Sequence, residues 1–146
     1  MKILYFLLLF PAIAFGRLGD NEAQINQRYG QPYKTVQQPS ARHKTAYYTV
    51  ENFWIKVDFI DGLVQAEMYQ TLDHSEISIA ECRRLLSVNG GEWRQVGRED
   101  SDVWQQGDFA SAVRVHLNGF VLHTFFYEKF TDWEKANVVP SGLPNF

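Results

Sequence analysis

From Thr45 onward the chain alternates apolar and polar positions with a period of two, and Asp61-Gly62 stands between two such runs, FWIKVDFI and LVQAEMYQ. An Asp-Gly pair suits the two-residue turn whose twist matches that of paired strands, so the runs read as a β-hairpin. The turn sets an expected register: Ile60 opposite Leu63, Asp58 opposite Gln65, Lys56 opposite Glu67 and Trp54 opposite Tyr69. One face then holds Phe53, Ile55, Val57 and Phe59 against Val64, Ala66 and Met68, and helices or a second sheet must cover it. The opposite face gathers Tyr47, Trp54 and Tyr69 around Lys56 and Glu67. Tyr47, Tyr48 and Val50 lead into Glu51-Asn52 and suggest a further strand paired with the first. Glu is a poor residue for that turn type, and a longer loop would shift the register.

Period 3.6 takes over in two places. Asp20 and Asn21 are good N-caps, Ile25 and Tyr29 are spaced i, i+4, and Gly30 followed by Pro32 closes the segment, which predicts a helix from Asn21 to Tyr29. Residues 31 to 44, with Pro39 and Ser40, read as a loop. Ser78 and Glu81 form a capping box before Ile79, Cys82, Leu85 and Leu86, and Asn89-Gly90-Gly91 ends that second helix. A second meander follows, with strands expected at Trp93 to Arg98, Val103 to Gln106, Phe109 to Leu117 and Phe120 to Tyr127. Gly107-Asp108 and Asn118-Gly119 are its expected turns. Val113, Val115, Leu117, Phe120, Leu122 and Phe126 should share its inner face, with Trp104 there opposite Ser111. After Trp133 the tail reads as irregular apart from a turn of helix at Asp132 to Ala136. The expected fold is α+β with mostly antiparallel strands: two helix-plus-meander units, residues 17–72 and 73–130, packed as one domain.

The first residues do not belong to that domain. Lys2 opens the chain, an apolar run spans Ile3 to Phe10, and small residues follow at Ala12, Ala14 and Gly16, the order of a secretory signal. The apolar stretch ends at Phe15, short of the roughly 20 residues a spanning helix needs. Ala14 and Gly16 fit a cut before Arg17, which we favour, while Ala12 and Ala14 allow one two residues earlier. With no cysteine after the apolar run, a lipid-anchoring signal is absent. The exported chain, residues 17–146, is expected to be secreted or periplasmic with no stable membrane anchor.

Composition narrows the partners. Loss of residues 1–16 leaves 13 basic against 17 acidic side chains and a formal charge of -4, which argues against nucleic acid. Cys82 is the sole cysteine, so no intramolecular disulfide is available and burial must supply the stability. Its place on the apolar stripe of the second helix predicts a hidden thiol.

The stretch Gly19-Asp20-Asn21-Glu22-Ala23-Gln24-Ile25, continuing to Tyr29-Gly30-Gln31-Pro32, resembles the opening motif of the BamE (SmpA/OmlA) family of outer-membrane assembly lipoproteins, roughly G-M-T-x-x-Q-V-x-x-x-L-G-x-P. Gly19, Gln24, Gly30 and Pro32 match it and Ile25 is conservative, whereas Asp20 and Tyr29 depart from the Met and Leu. The repeated helix-plus-meander order is similar to that of the β-lactamase inhibitory proteins. That resemblance implies tandem units binding a protein through a concave sheet.

Catalytic signatures are sparse. His116 and His123 would be diagonal neighbours across an Asn118-Gly119 hairpin, but no third metal ligand is evident and Arg114 on that face would repel a cation. His43 and His74 fall in expected loops. No G-x-S-x-G elbow, cysteine-protease signature or phosphate-binding glycine loop occurs, and the acids Asp58, Asp61, Glu99, Asp100 and Asp102 read as strand-exit and loop residues. No cofactor or metal is expected. Protein binding through Tyr47, Trp54, Lys56, Glu67 and Tyr69 is the leading expectation. A small extracytoplasmic enzyme, a hydrolase among others, and a structural envelope component are the alternatives.

Overall fold

The computed structural model describes residues 17–98 and 102–138. The expected signal segment, Glu99, Asp100 and the end of the tail lie outside the described residues. Along the chain run α1 (Glu22–Tyr29), β1 (Lys34–Gln37), β2 (His43–Val50), β3 (Phe53–Ile60), β4 (Leu63–Thr71), α2 (Ile79–Asn89), β5 (Arg94–Gln95), β6 (Val103–Gln106), β7 (Ala110–Val115), β8 (Gly119–Thr124) and α3 (Phe125–Asn137). The fold is α+β. Its strands form one eight-stranded antiparallel sheet in the order β1-β2-β3-β4-β8-β7-β6-β5.

The first two helices begin and end where their caps dictate. Asn21 accepts from the Gln24 amide while the Gln24 side chain accepts from the Asn21 amide, a reciprocal pair that satisfies two otherwise orphaned donors. Ser78 accepts from the Glu81 amide to start α2, and Gly90, at φ 80°, ends it. Ile25 and Tyr29 of α1 and Cys82, Leu85 and Leu86 of α2 bury against one sheet face. That face contributes Tyr48, Phe53, Ile55, Val57, Phe59 and Val64 from the first strands and Trp104, Ala112, Phe120 and Leu122 from the later ones.

The β3–β4 hairpin keeps its Asp61-Gly62 turn but not the expected register. Phe59 pairs with Val64, and the next pair is Asp58 with Ala66, which leaves Gln65 as a bulge. One extra residue sends every later side chain to the other face. Lys56 therefore faces Met68 and Trp54 faces Gln70. Glu67 and Tyr69 turn into the core beneath α1 and α2, while Ala66 and Met68 turn to the opposite face, where Ala66 stays buried and Met68 is half-buried.

Four further expectations are corrected. The loop before Thr45 contains β1, an edge strand paired with β2. The Asn118-Gly119 turn is instead a three-residue loop, because Val115 pairs with Gly119 and both His116 and Leu117 adopt positive φ. A Cβ at Gly119 would lie 2.9 Å from the Val115 carbonyl oxygen, so the glycine serves that close approach rather than a turn. Val113 and Val115 consequently face away from Phe120 and Leu122, and Arg114 pairs with Phe120 rather than with His123. The Gly107-Asp108 loop likewise gains Phe109, which places Trp104 opposite Ala112, still a large residue against a small one.

The last correction is the largest. Phe125 to Tyr127 do not extend β8 but open α3, a third helix, with Thr124 accepting from the Tyr127 amide as its N-cap. Aromatic residues suit strands and helices alike in a short window. Spacing decides here: Tyr127, Phe130 and Glu134 fall along one helical stripe, and that stripe packs on the sheet face opposite α1 and α2.

Candidate binding face

Among the described residues, the side of the sheet that carries α3 is covered by a helix at one end only. At that end α3 lies over His43, Asp58 and their neighbours; beyond it, strand pairing builds an open row. Lys34, Tyr47, Lys56, Met68, Val121, Val113 and Val103 are successive partners across seven strands. All of them except the exposed Lys34 are half-buried. Thr49, Trp54, Gln70, Gly119 and Val115 form the next row. Among the described residues no helix lies over these two rows, and their apolar side chains Met68, Val121, Val113, Val115 and Val103 are half-buried.

Its most organised part is aromatic. The Tyr47 and Trp54 rings are 5.4 Å apart, and Tyr33 stands 6.2 Å from Tyr47. The Trp54 indole donates to the Tyr33 hydroxyl, which fixes the outer ring against the inner two. Lys34 places its ammonium 5.5 Å over the Tyr47 ring, a cation on the negative face of a π-system. Sequence reasoning thus brings Tyr47, Trp54 and Lys56 together correctly. It misplaces Glu67 and Tyr69, and it misses Tyr33 and Lys34, whose signal was the short β-prone run Tyr33-Lys34-Thr35-Val36 after Pro32.

Glu67 instead anchors a buried polar cluster beneath α1 and α2. Its carboxylate accepts from the Tyr29 hydroxyl at 3.1 Å, the Tyr69 hydroxyl at 2.9 Å and the Asn89 amide at 3.4 Å. Burial pushes its pKa up to about 7, although the bonds from Tyr69, Tyr29 and Asn89 pull the other way.

A second buried cluster holds α3. His43, at the start of β2, meets Glu134 Oε1 through Nδ1 at 2.9 Å and Asp58 Oδ1 through Nε2 at 2.8 Å. Thr45 and Tyr127 also donate to Asp58, at 2.6 and 3.2 Å, and the Ser40 amide donates to Glu134 at 3.0 Å. Burial alone would lower the His43 pKa, but its bonds to the two carboxylates outweigh that and raise it. Burial would raise the Asp58 pKa, yet the His43 bond, the Lys56 charge and the Thr45 bond hold it down. A histidine beside an aspartate invites a catalytic reading. Here both ring nitrogens are engaged by carboxylates and the residue is 4% exposed, so neither nitrogen is available to a substrate.

The other candidates remain apart. His116 lies in the β7–β8 loop, His123 pairs with Ser111, and no group of three or more His, Cys, Asp and Glu arranged to hold a metal ion occurs among the described residues. A recess of about 970 Å³ opens beside β5 and β6 between Glu92, Trp93, Arg94, Asp108 and Phe109, and the described residues lining it include no histidine, serine or cysteine. Cys82 is fully buried, and burial pushes its thiol up to about 11. No described helix is long and apolar enough to cross a membrane.

No family model and no curated protein matches the chain. Among solved structures it is similar to a cysteine-rich secretory protein from Staphylococcus aureus, at 8% identity and a TM-score of 0.46, over 80% of this chain and 46% of that one. A likeness at that level carries no argument about fold or function.

Proposed function

We propose that this is an exported, non-catalytic binding protein that engages another protein through the open end of its sheet. The observation that carries the reading is the Tyr33, Tyr47 and Trp54 stack beside Lys34 and Lys56, continuous with the Met68, Val121 and Val113 row. Rigid aromatics held by neighbours lose little entropy on binding and make good anchors. Two lysines flanking them favour a partner that presents acidic groups around an apolar segment. The exported location rests on the signal character of residues 1–16.

The two-unit reading belongs to the same proposal. Helix α1 precedes β1 to β4, α2 precedes β5 to β8, and the sheet order mirrors itself about the β4–β8 junction. This order is consistent with two related units side by side, and it extends the resemblance to the β-lactamase inhibitory proteins, which bind through a sheet face.

A photo-crosslinking residue at Thr49, exposed beside Trp54, tests the face in cells that make the protein. The expected result is one defined adduct with a different protein, lost in Tyr47→Ala and Trp54→Ala variants that remain folded. An adduct between two copies, or an adduct indifferent to those substitutions, refutes the reading.

A further inference from the structure

The start of the described chain is held by contacts from several elements. The Arg17 backbone nitrogen lies 3.0 Å from Asp20 Oδ2, and the Asp20 amide returns a bond to the Arg17 carbonyl at 3.1 Å. Arg17 Nε donates to the Val88 carbonyl at the end of α2, and the Leu18 amide donates to Asn89 Oδ1, both at 3.1 Å. Gly19 and Asp20 then bond to Val64 at the start of β4, each at 2.8 Å. Arg28 approaches the same Asp20 oxygen at 3.4 Å, and the Asp20 side chain is only 12% exposed.

Such a carboxylate is a better partner for a charge than for an amide. While Gly16 is attached, Arg17 offers Asp20 one neutral N–H. We infer that cleavage after Gly16 gives Arg17 an α-ammonium that ion-pairs with Asp20 and locks the new N-terminus onto α2 and β4. This rests on the exported reading above. In the hydrolysis, water adds across the Gly16–Arg17 amide: the C–N bond breaks, Gly16 leaves as a carboxylate, and both water protons end on the Arg17 nitrogen. The product has three donors and a positive charge where the precursor had one donor and none. A charge-assisted bond in a partly buried site is about twice as strong as a neutral one. The lock also reaches the core, because Asn89, which receives Leu18, donates to Glu67.

The full chain, expressed with export and purified from outside the cytoplasm, supplies the test material. Intact mass should show a product beginning at Arg17, and any other start overturns the cleavage. The α-amine is then labelled with an amine-reactive ester near pH 7.5 and quantified on the N-terminal peptide. A free α-amine titrates at about 7.7–8.0, and each unit by which a pair raises it slows labelling about tenfold. We expect labelling several-fold slower in the native protein than in the same protein unfolded in denaturant, and recovery in Asp20→Asn. Equal rates in the native and unfolded wild type overturn the ion pair even when the mass is as expected, so the failure of the pair and the failure of the export reading are told apart.

Discussion

His43 and Glu134 stand 91 positions apart in the chain and meet at 2.9 Å, where the carboxylate of α3 caps one side of an imidazole whose other side is held by Asp58. This contact joins the last helix to the second strand. Both carboxylates favour the protonated ring, and their bonds to it raise the His43 pKa against the effect of burial.

Removing one member leaves charge buried without its partner, which typically costs about 3–5 kcal/mol. Glu134→Ala and Asp58→Ala should each lose stability on that order in denaturant unfolding. Linkage gives the pH window. The raised His43 pKa contributes stability that is fully present below its ordinary 6.5 and lost as pH rises through the raised value. The lowered Asp58 pKa contributes stability present above its ordinary 3.8 and lost as pH falls through the lowered value. Melting temperature against pH should therefore be flatter in His43→Gln on both sides.

Glu67 behaves in one direction only. Its pKa is raised from 4.5 to about 7, so the wild type loses stability as pH rises through that interval, on the order of 3 kcal/mol. Glu67→Gln keeps a carbonyl acceptor for the tyrosine hydroxyls but cannot ionise. It should be more stable than wild type at pH 8 and should lack this part of the decline, as read by thermal unfolding at pH 5 and pH 8.

Trp54 and Tyr69 lie on opposite faces, so truncation separates them. Tyr69→Ala removes a fully buried ring and should cost about 3–5 kcal/mol. Trp54→Ala removes a surface pair and should cost about 1 kcal/mol or less. Chemical denaturation of the two variants checks the bulge at Gln65: similar small losses would restore the register in which the rings are neighbours.

Cys82 should resist thiol reagents in the native protein and react only on unfolding, because its sulfur is buried and burial raises its pKa to about 11. Cys82→Asp should prevent folding at ordinary temperature, whereas Cys82→Ala should leave a folded, weaker protein. Reaction with Ellman's reagent and circular dichroism distinguish these outcomes.

Much of this molecule was legible from local chemistry. Asn21, Ser78, Gly30 and Gly90 act within one turn of the residues they cap, and the Asp61-Gly62 turn needs only its own backbone. The stripe of Ile79, Cys82, Leu85 and Leu86 shows its buried face through spacing alone. What lies beyond local reach failed for a stated reason. The Gln65 bulge looks in sequence like an unbroken alternation, because Val64-Gln65-Ala66-Glu67 keeps period two while the sheet does not. Pairing with β8, where Ala66 meets His123 and Glu67 meets Leu122, places Glu67 and Tyr69 inside, and partners from α1 and α2 satisfy their polar atoms. Thr124 onward was equally ambiguous: the aromatics of α3 suit a strand until Glu134 finds His43. The sequence by itself therefore determined the caps of α1 and α2, the Asp61-Gly62 turn and the shared face of Tyr47, Trp54 and Lys56. Which carboxylates are buried, and which rings are core or surface, was decided only by tertiary structure, because long-range partners set the free energy of burying a polar side chain.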